Sequence, residues 1–130
     1  MIVRPDELLA RIRLPRTTKP LRQYYRKVGT RKAQAISKVC FAAVARTDGT
    51  RIVDLHIALG SVAPIPIRCV RTETVLKNQT LDSTLIERGR RELAFEIAPI
   101  DDIRSTRDYR LQVSLNLLEE FLLRLATPGV

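Results

Sequence analysis

The sequence has little of the chemistry that holds metals: it has one histidine and two cysteines. Cys40 and Cys69 lie 29 residues apart, without CxxC spacing, and His56 is the only imidazole. A structural zinc or iron–sulfur site needs about four such ligands close together. We therefore predict no metal site in this chain and two buried free thiols.

Long hydrophobic runs are also absent. No apolar stretch approaches the roughly 18 residues that a membrane-spanning helix needs. The opening MIVRPDELLARIRLP carries charges throughout and has no apolar core of the secretory kind. We predict a cytoplasmic protein without membrane contact. An apolar content of 45% in 130 residues is enough for one folded domain with a real core.

Motifs of stand-alone enzymes are missing as well. There is no GxGxxG or GxxxxGK[ST] phosphate loop and no GxSxG nucleophile elbow. His56 lies on the polar side of a predicted strand, where an exposed or half-buried structural histidine is expected. Asp101 and Asp102 are adjacent carboxylates, but their place between two predicted helices favours bonds to backbone amides or to Arg104 or Arg107. No residue is predicted to be catalytic.

Positive charge is abundant and concentrated at one end of the chain. Of the net charge of +9, residues 1–34 contribute +8, with ten Lys and Arg against two acids. The densest part is YYRKVGTRK, residues 24–32. Such a local field attracts an anionic partner. Tyr24 and Tyr25 could stack on bases there, but no nucleic-acid-binding signature is present, so nucleic acid is an unlikely partner.

The first half of the chain predicts strands. Residues 7–14 alternate as a strand does, and Pro15 and Pro20 bracket an extended linker after it. Residues 36–46 and 53–59 are rich in β-branched and alternating apolar side chains. The TDGT sequence at 47–50 between them, in which Asp48-Gly49 can adopt positive φ, predicts an antiparallel hairpin.

The second half predicts three helices. The first covers residues 67–77, with Pro66 near its first turn, and stops at Asn78. The second is capped by Asp82 or Thr80 and ends at Pro99, and the third begins at a capping-box-like sequence over residues 105–108. A stripe of leucines marks the third helix as a core element: Leu111, Leu115, Leu118, Leu122 and Leu125. Strands followed by helices predict an α+β fold: a small antiparallel sheet of three to four strands, covered on one face by three helices.

Three ordered motifs resemble a known family. RKAQAISKV (31–39), IALGSVAPIPIR (57–68) and APIDDIRSTRDYR (98–110) are similar to the C-terminal domain of the flavin-carrying medium subunit of molybdenum hydroxylases, the xanthine dehydrogenase and carbon monoxide dehydrogenase family. DELLARIRLP (6–15) resembles the join that ends the family's FAD-binding domain. The resemblance therefore implies a lead-in strand and linker at 1–22 and a flavoprotein C-terminal domain at 23–130.

The resemblance implies a function in electron transfer. In the family, FAD passes electrons between iron–sulfur clusters on one subunit and NAD or another acceptor, while a molybdopterin subunit hydroxylates the substrate. The C-terminal domain borders the isoalloxazine ring. This sequence lacks the glycine-rich segments that hold the FAD diphosphate, so we expect FAD to be held mainly by a separate FAD-binding domain and this chain alone to bind none.

The loop that borders the ring in the family corresponds to YYRKVGTRK. By position, Tyr25 and Lys27 are the best candidates for flavin proximity, followed by Arg26, Arg31 and Lys32. Their cations would stabilise the negative charge of a reduced flavin or of NAD, and Gly29 could let the backbone approach closely. The structural alternative for each residue is a solvated loop position. The alternative function is a non-enzymatic basic domain that docks on an acidic protein or nucleic acid.

Overall fold

In the computed structural model, which describes residues 3–13, 21–31 and 35–127, strands precede helices along the chain. The sheet is antiparallel, and its four strands lie side by side in the order in which they occur along the chain. The elements are β1 (Arg22–Gly29), β2 (Ser37–Asp48), β3 (Arg51–Gly60), β4 (Ile67–Arg68), α1 (Val70–Leu76), α2 (Ser83–Glu96) and α3 (Arg107–Ala126). The predicted α+β class, with an antiparallel sheet and three helices, is confirmed.

The central hairpin follows the sequence prediction. Asp48 pairs with Arg51 across the turn, and Gly49 takes the positive φ of 55° that the turn requires. Beyond a shift in register at Arg46 and Thr47, the two strands pair continuously from Arg46–Asp54 to Cys40–Gly60. The hairpin therefore fixes which side chains of β2 and β3 share a face.

One face of the sheet forms the core with the helices. Alternate residues of β2 and β3 are buried on this face: Val39, Phe41, Ala43, Ala45, Leu55, Ile57 and Leu59. From β1, the Tyr24 ring joins them and lies 5.7 Å from Phe41 and 5.8 Å from Phe121 of α3. The helices α1 and α3 pack on this face, and α2 packs on the other two helices. The opposite face of the sheet is left uncovered within the described residues.

The strand predicted at the start of the chain is wrong where the structure describes it. Residues 7–13 form no strand, and Leu8, Leu9 and Ile12 are exposed. A strand needs a neighbour to pair with, and no described strand lies beside this segment. Leu14 and the proline-bracketed linker at 15–20 lie outside the described residues.

The start of the first helix also differs from the prediction. Residues 67–68 form β4, which pairs with Ala58 and Leu59, and the helix begins only at Val70. Pro66 therefore precedes a short strand rather than a helical turn, because the two residues after it pair with β3. The predicted stop is correct: Asn78 has a φ of 62°, which ends the helix.

The caps of the two long helices were predicted in part. Asp82 caps α2, with its Oδ1 accepting a hydrogen bond of 2.7 Å from the Leu85 amide. The cap of α3 is Thr106 rather than Ser105, since the Thr106 Oγ1 accepts from the Tyr109 amide at 3.2 Å. Inside α2, a Cβ on Gly89 would lie 2.9 Å from Leu76 Cδ2. Close packing of α2 on α1 therefore explains this glycine.

Arg22 of β1 binds the carboxyl end of α3. Its guanidinium donates to the carbonyl oxygens of Leu125 (3.1 Å), Thr127 (2.9 Å) and Arg124. These carbonyls lack partners within the helix, and the negative end of the helix dipole favours a cation there.

We expect Arg22→Ala to lower the free energy of unfolding by about 1–2 kcal/mol, measured by urea denaturation. Arg26→Ala on the same strand is the control and should change it by less than about 0.5 kcal/mol; equal losses would contradict the capping role.

Candidate functional site

The basic stretch, which the family resemblance implies to be a loop, lies mostly in a strand: residues 24–29 belong to β1, and residues 30–31 follow it. Its two tyrosines point to opposite sides of the sheet, because successive residues of a strand alternate. Tyr24 is buried in the core, whereas Tyr25 is 65% exposed on the uncovered face. Tyr24 therefore cannot stack on a ligand, and only Tyr25 of the pair is available for binding.

The uncovered face of the sheet holds a shallow cavity of about 570 Å³. Small apolar side chains form its floor: Ala42, Val44 and Ala58. Tyr25 stands on one side of this floor, and His56 and Arg68 stand on the other. The result is a flat apolar surface between an aromatic ring and a cationic edge. We call it the open sheet face.

Tyr25 and Lys27 lie side by side at the edge strand of the open sheet face. Tyr25 pairs with Ala42, and Lys27 pairs with Cys40. The Cys40 thiol lies 3.4 Å from the Tyr25 hydroxyl. This hydrogen bond raises the pKa of the Tyr25 phenol above its ordinary value. The Tyr25 ring is thus fixed at its hydroxyl end, and the Lys27 ammonium group is exposed one step closer to the β1–β2 loop.

The other predicted site residues lie at the end of β1. Gly29 is half-buried and Arg31 is exposed, while Lys32 lies outside the described residues. A Cβ on Gly29 would lie 3.2 Å from the Ala35 Cβ and 3.4 Å from the Ile36 oxygen. The structure thus gives Gly29 a packing role within its own loop, beside the predicted role in ligand approach.

A network of charged groups, which the sequence did not reveal, borders the open sheet face at its other edge. Glu73 of α1 is only 5% exposed and accepts from the Ile57 amide at 2.8 Å. Arg68 binds both Glu73 carboxylate oxygens at 2.7–3.1 Å. The Arg68 Nη2 also lies 2.6 Å from His56 Nδ1. On the far side of His56, Lys77 binds Asp54 at 2.7 Å. His56 is exposed, as predicted, and serves to connect these pairs.

The three sequence motifs meet at one end of the fold. Lys38, from the first motif, places its ammonium group 5.1 Å from the centre of the Tyr109 ring in the third. Arg110, also in the third motif, donates to the Ser61 oxygen of the second at 2.8 Å. Because β2 begins where β3 ends, this end also carries the β1–β2 loop. The loops around Ser61 and Asp102 line a cavity of about 500 Å³ there.

Asp101 and Asp102 have the structural role that the sequence predicts. Asp101 accepts from the Arg107 amide at 2.6 Å. Asp102 accepts from the Arg104 amide at 2.8 Å and binds the guanidinium groups of Arg104 and Arg110. Desolvation acts to raise the pKa of Asp102, but these hydrogen bonds outweigh it and hold the pKa well below its ordinary value. A carboxylate so fully engaged is a poor general base.

The two cysteines differ in their burial. Cys69 is buried, and desolvation raises the pKa of its thiol to about 12, which makes it unreactive. Cys40 is half-buried rather than buried and contacts Tyr25.

No group of three His, Cys, Asp or Glu residues within the described parts of the chain is arranged to hold a metal ion. None of the described helices has both the length and the hydropathy to cross a membrane.

Comparisons with known proteins agree with this architecture. The profile of the CO dehydrogenase flavoprotein C-terminal domain matches residues 23–125. The xanthine dehydrogenase FAD-binding subunit of Escherichia coli O157:H7 is 29% identical over 109 residues. That match covers 83% of this chain but 37% of the relative. The chain therefore spans little more than a third of the length of this relative.

Solved structures show the same fold. Carbon monoxide dehydrogenase from Hydrogenophaga pseudoflava matches with a TM-score of 0.76 at 22% identity, over 87% of this chain and 39% of that one. Reconstituted CO dehydrogenase from Oligotropha carboxidovorans matches with a TM-score of 0.73 at 24% identity, over 82% and 37%. Because the family profile matches 103 of the 130 residues, this chain belongs to the CO dehydrogenase flavoprotein C-terminal domain family, the C-terminal domains of molybdenum hydroxylase FAD subunits.

Proposed function

We propose that this chain borders the isoalloxazine ring of an FAD that another domain mainly holds. The observation that carries the proposal is the open sheet face, where an apolar floor lies next to Tyr25 and Lys27. An antiparallel sheet with one uncovered, largely apolar face has a surface that remains to be covered. Family membership makes a flavoprotein domain the expected neighbour.

The residues on this face fit a flavin. Ala42 and Ala58 carry only methyl groups, so a planar ring system can approach the floor without a clash. Tyr25 offers a ring face or edge, and the exposed ammonium of Lys27 offers positive charge. No glycine-rich phosphate loop accompanies them in the sequence. The fit is thus to the ring rather than to the diphosphate, and the chain by itself is expected to bind little or no FAD.

Each residue of the stretch then has a distinct role. The flavin, when bound, supplies the electron-transfer chemistry, and the chain supplies electrostatics and shape. Lys27 favours negative charge at the ring, and Tyr25 limits the access of water to it. Arg31 and Lys32, which follow β1 in the sequence, add to the positive field that an anionic acceptor such as NAD would enter. Gly29 keeps the loop close to β1.

The wider function follows from the family and stays a proposal for this chain. It would support electron transfer between iron–sulfur clusters, FAD and NAD or another acceptor, as one part of a complex with iron–sulfur and molybdopterin subunits. Residues 1–22 would join it to a preceding FAD-binding domain. Exposure of Leu8, Leu9 and Ile12 supports that role, since these side chains have no core to enter here. The cytoplasmic location predicted from the sequence stays a prediction.

Reconstitution with an FAD-binding domain tests the proposal. We expect this chain by itself to retain no flavin on gel filtration. When it is added to a matching FAD-binding domain, we expect it to raise the affinity of that domain for flavin. Lys27→Glu should reduce that gain about tenfold, or about 1.4 kcal/mol, and should shift the flavin potential to more negative values. Arg51→Glu, at the first residue of β3 and at the opposite end of the sheet, is the matched control and should leave both values unchanged.

Two results would decide against the proposal. One is a Lys27→Glu variant that behaves like Arg51→Glu in both measurements. The other is duplex DNA binding that is tight at low salt and falls steeply as salt rises, with no effect of the chain on flavin. That second result would instead favour the alternative of a basic interaction domain. The burial of Tyr24, which removes one of the two rings available for base stacking, argues against it.

A further inference from the structure

The outer face of α2 carries an exposed stripe of basic and aromatic side chains. Arg88, Arg91 and Phe95 follow one another at spacings of three and four residues, which places them on one side of the helix. The buried residues Leu85, Ile86, Gly89 and Leu93 lie on the opposite side. All members of the stripe are exposed, and Phe95 is 72% exposed. We call Arg88, Arg91 and Phe95 the α2 stripe.

The two arginines of the α2 stripe have no partner among the described residues. The carboxylates of the same helix are used elsewhere: Glu87 lies 3.7 Å from Arg90, and Glu92 binds Arg71 of α1. Glu96 accepts from the Arg71 and Thr72 amides at 2.8 Å. The stripe therefore presents two uncompensated guanidinium groups beside an exposed phenyl ring. Arginine and aromatic side chains are the residue types that most often anchor protein interfaces.

We propose that the α2 stripe is a docking surface for an acidic protein segment that carries apolar side chains at its centre. The anchors fall at positions i, i+3 and i+7, so all three can contact one segment that lies along this face of the helix. Carboxylates of the segment would form bidentate pairs with Arg88 and Arg91, and its apolar side chains would pack on Phe95. The α2 stripe faces away from α1 and α3, the helices on which α2 packs. The open sheet face lies on the side of the sheet opposite to the helices, so this proposal is independent of the flavin site.

The chemistry favours protein over nucleic acid as the occupant. Binding to a phosphate backbone depends on a track of many cations, and the stripe offers only two, without a lysine. A phenyl ring on a convex helix has no stacking partner along a duplex, whereas it can pack on the apolar side chains of a protein segment. The denser basic region of the chain, residues 22–31, lies on β1 and directly after it, and not on α2.

Amide chemical-shift mapping on the full chain tests the proposal. The probe is the acidic peptide EEELVLEEE, with EEESGSEEE and a short DNA duplex as parallel arms, at physiological salt. We expect the largest shifts from EEELVLEEE within residues 84–96 and weaker binding of EEESGSEEE. Phe95→Ala should weaken binding of EEELVLEEE about threefold, and Arg88→Glu with Arg91→Glu should weaken it about tenfold.

The control is Arg11→Glu with Arg13→Glu, which changes the net charge by the same amount at exposed positions of the lead-in. It should weaken binding less than about twofold, since distant exposed charges are screened. Equal losses in the two double variants, or largest shifts on residues 22–31, would overturn the proposal. So would duplex binding through α2 that is tighter than peptide binding. Thermal unfolding of each variant, unchanged on such exposed sites, confirms that the fold is intact.

Discussion

Replacing Glu73 with alanine is expected to lower the free energy of unfolding by about 2–3 kcal/mol. The Glu73 carboxylate accepts from the Ile57 amide at 2.8 Å, on the edge of β3 that the two-residue β4 does not reach. Without it, that buried amide has no acceptor, which by itself costs about 1–3 kcal/mol. The ion pair with Arg68 adds less, because Arg68 is largely exposed to solvent. Urea denaturation measures the loss.

Two further variants separate these contributions. Glu73→Gln keeps an acceptor for the Ile57 amide and loses only the charge, so its cost should be about 1 kcal/mol. Glu87→Ala removes a glutamate whose side chain is 69% exposed, and should cost less than about 0.5 kcal/mol. A Glu73→Ala variant no less stable than Glu87→Ala would show that water replaces the carboxylate at Ile57.

The same residue links stability to pH. Desolvation acts to raise the pKa of Glu73, but the Arg68 and Ile57 hydrogen bonds outweigh it and lower the pKa below 4.5. The unfolded chain therefore binds a proton at a higher pH than the folded chain does. This contribution to stability is complete above about pH 4.5 and is lost as the pH falls through the folded pKa. Glu73→Gln should accordingly show a shallower acid limb, and an unchanged limb would contradict the linkage.

The fold could be predicted where local chemistry decides it. The alternation in β3, the glycine turn at Gly49 and the leucine periodicity of α3 each carry their own signal. The prediction errors lie where pairing with residues distant in the sequence decides the secondary structure. Residues 67–68 join the sheet because β3 lies beside them, and 7–13 form no strand because no described strand does. Pairing partners are a property of the fold, so alternation alone cannot supply them.

The site divides in the same way. Tyr25 and Lys27 could be proposed as site residues from the sequence because they lie in one dense stretch, and alternation on β1 places both on one face. The Glu73 network was missed because its members come from β3, β4 and α1, each as an ordinary charged residue. Arg88, Arg91 and Phe95 were missed because an exposed helix face becomes visible only once the buried face is known.

Among the charged residues of the third motif, Arg110 is expected to cause the largest loss of stability when it is replaced by alanine. Its side chain is 97% buried, and it donates to the Ser61 oxygen at 2.8 Å and to Asp102. Arg110→Ala leaves a void beneath two loops and a carbonyl without its donor. We expect the free energy of unfolding to fall by about 2–4 kcal/mol, because the packing of a buried side chain is lost and the Ser61 carbonyl loses its donor. Arg107→Ala, one turn earlier and mostly exposed, should cost less than about 0.5 kcal/mol.

Arg110→Met shows what the guanidinium is for. Burying a charge is costly, and an apolar side chain of similar length can replace a buried pair with little loss. Asp102 keeps its bonds to the Arg104 and Ser105 amides in this variant. We expect Met to recover more than half of the stability lost in Arg110→Ala, while amide exchange at residues 61–66 accelerates because the Ser61 tether is gone. Slow exchange in the Met variant would show that packing alone holds these loops; fast exchange with near-native stability would show that Arg110 is retained to fix their position.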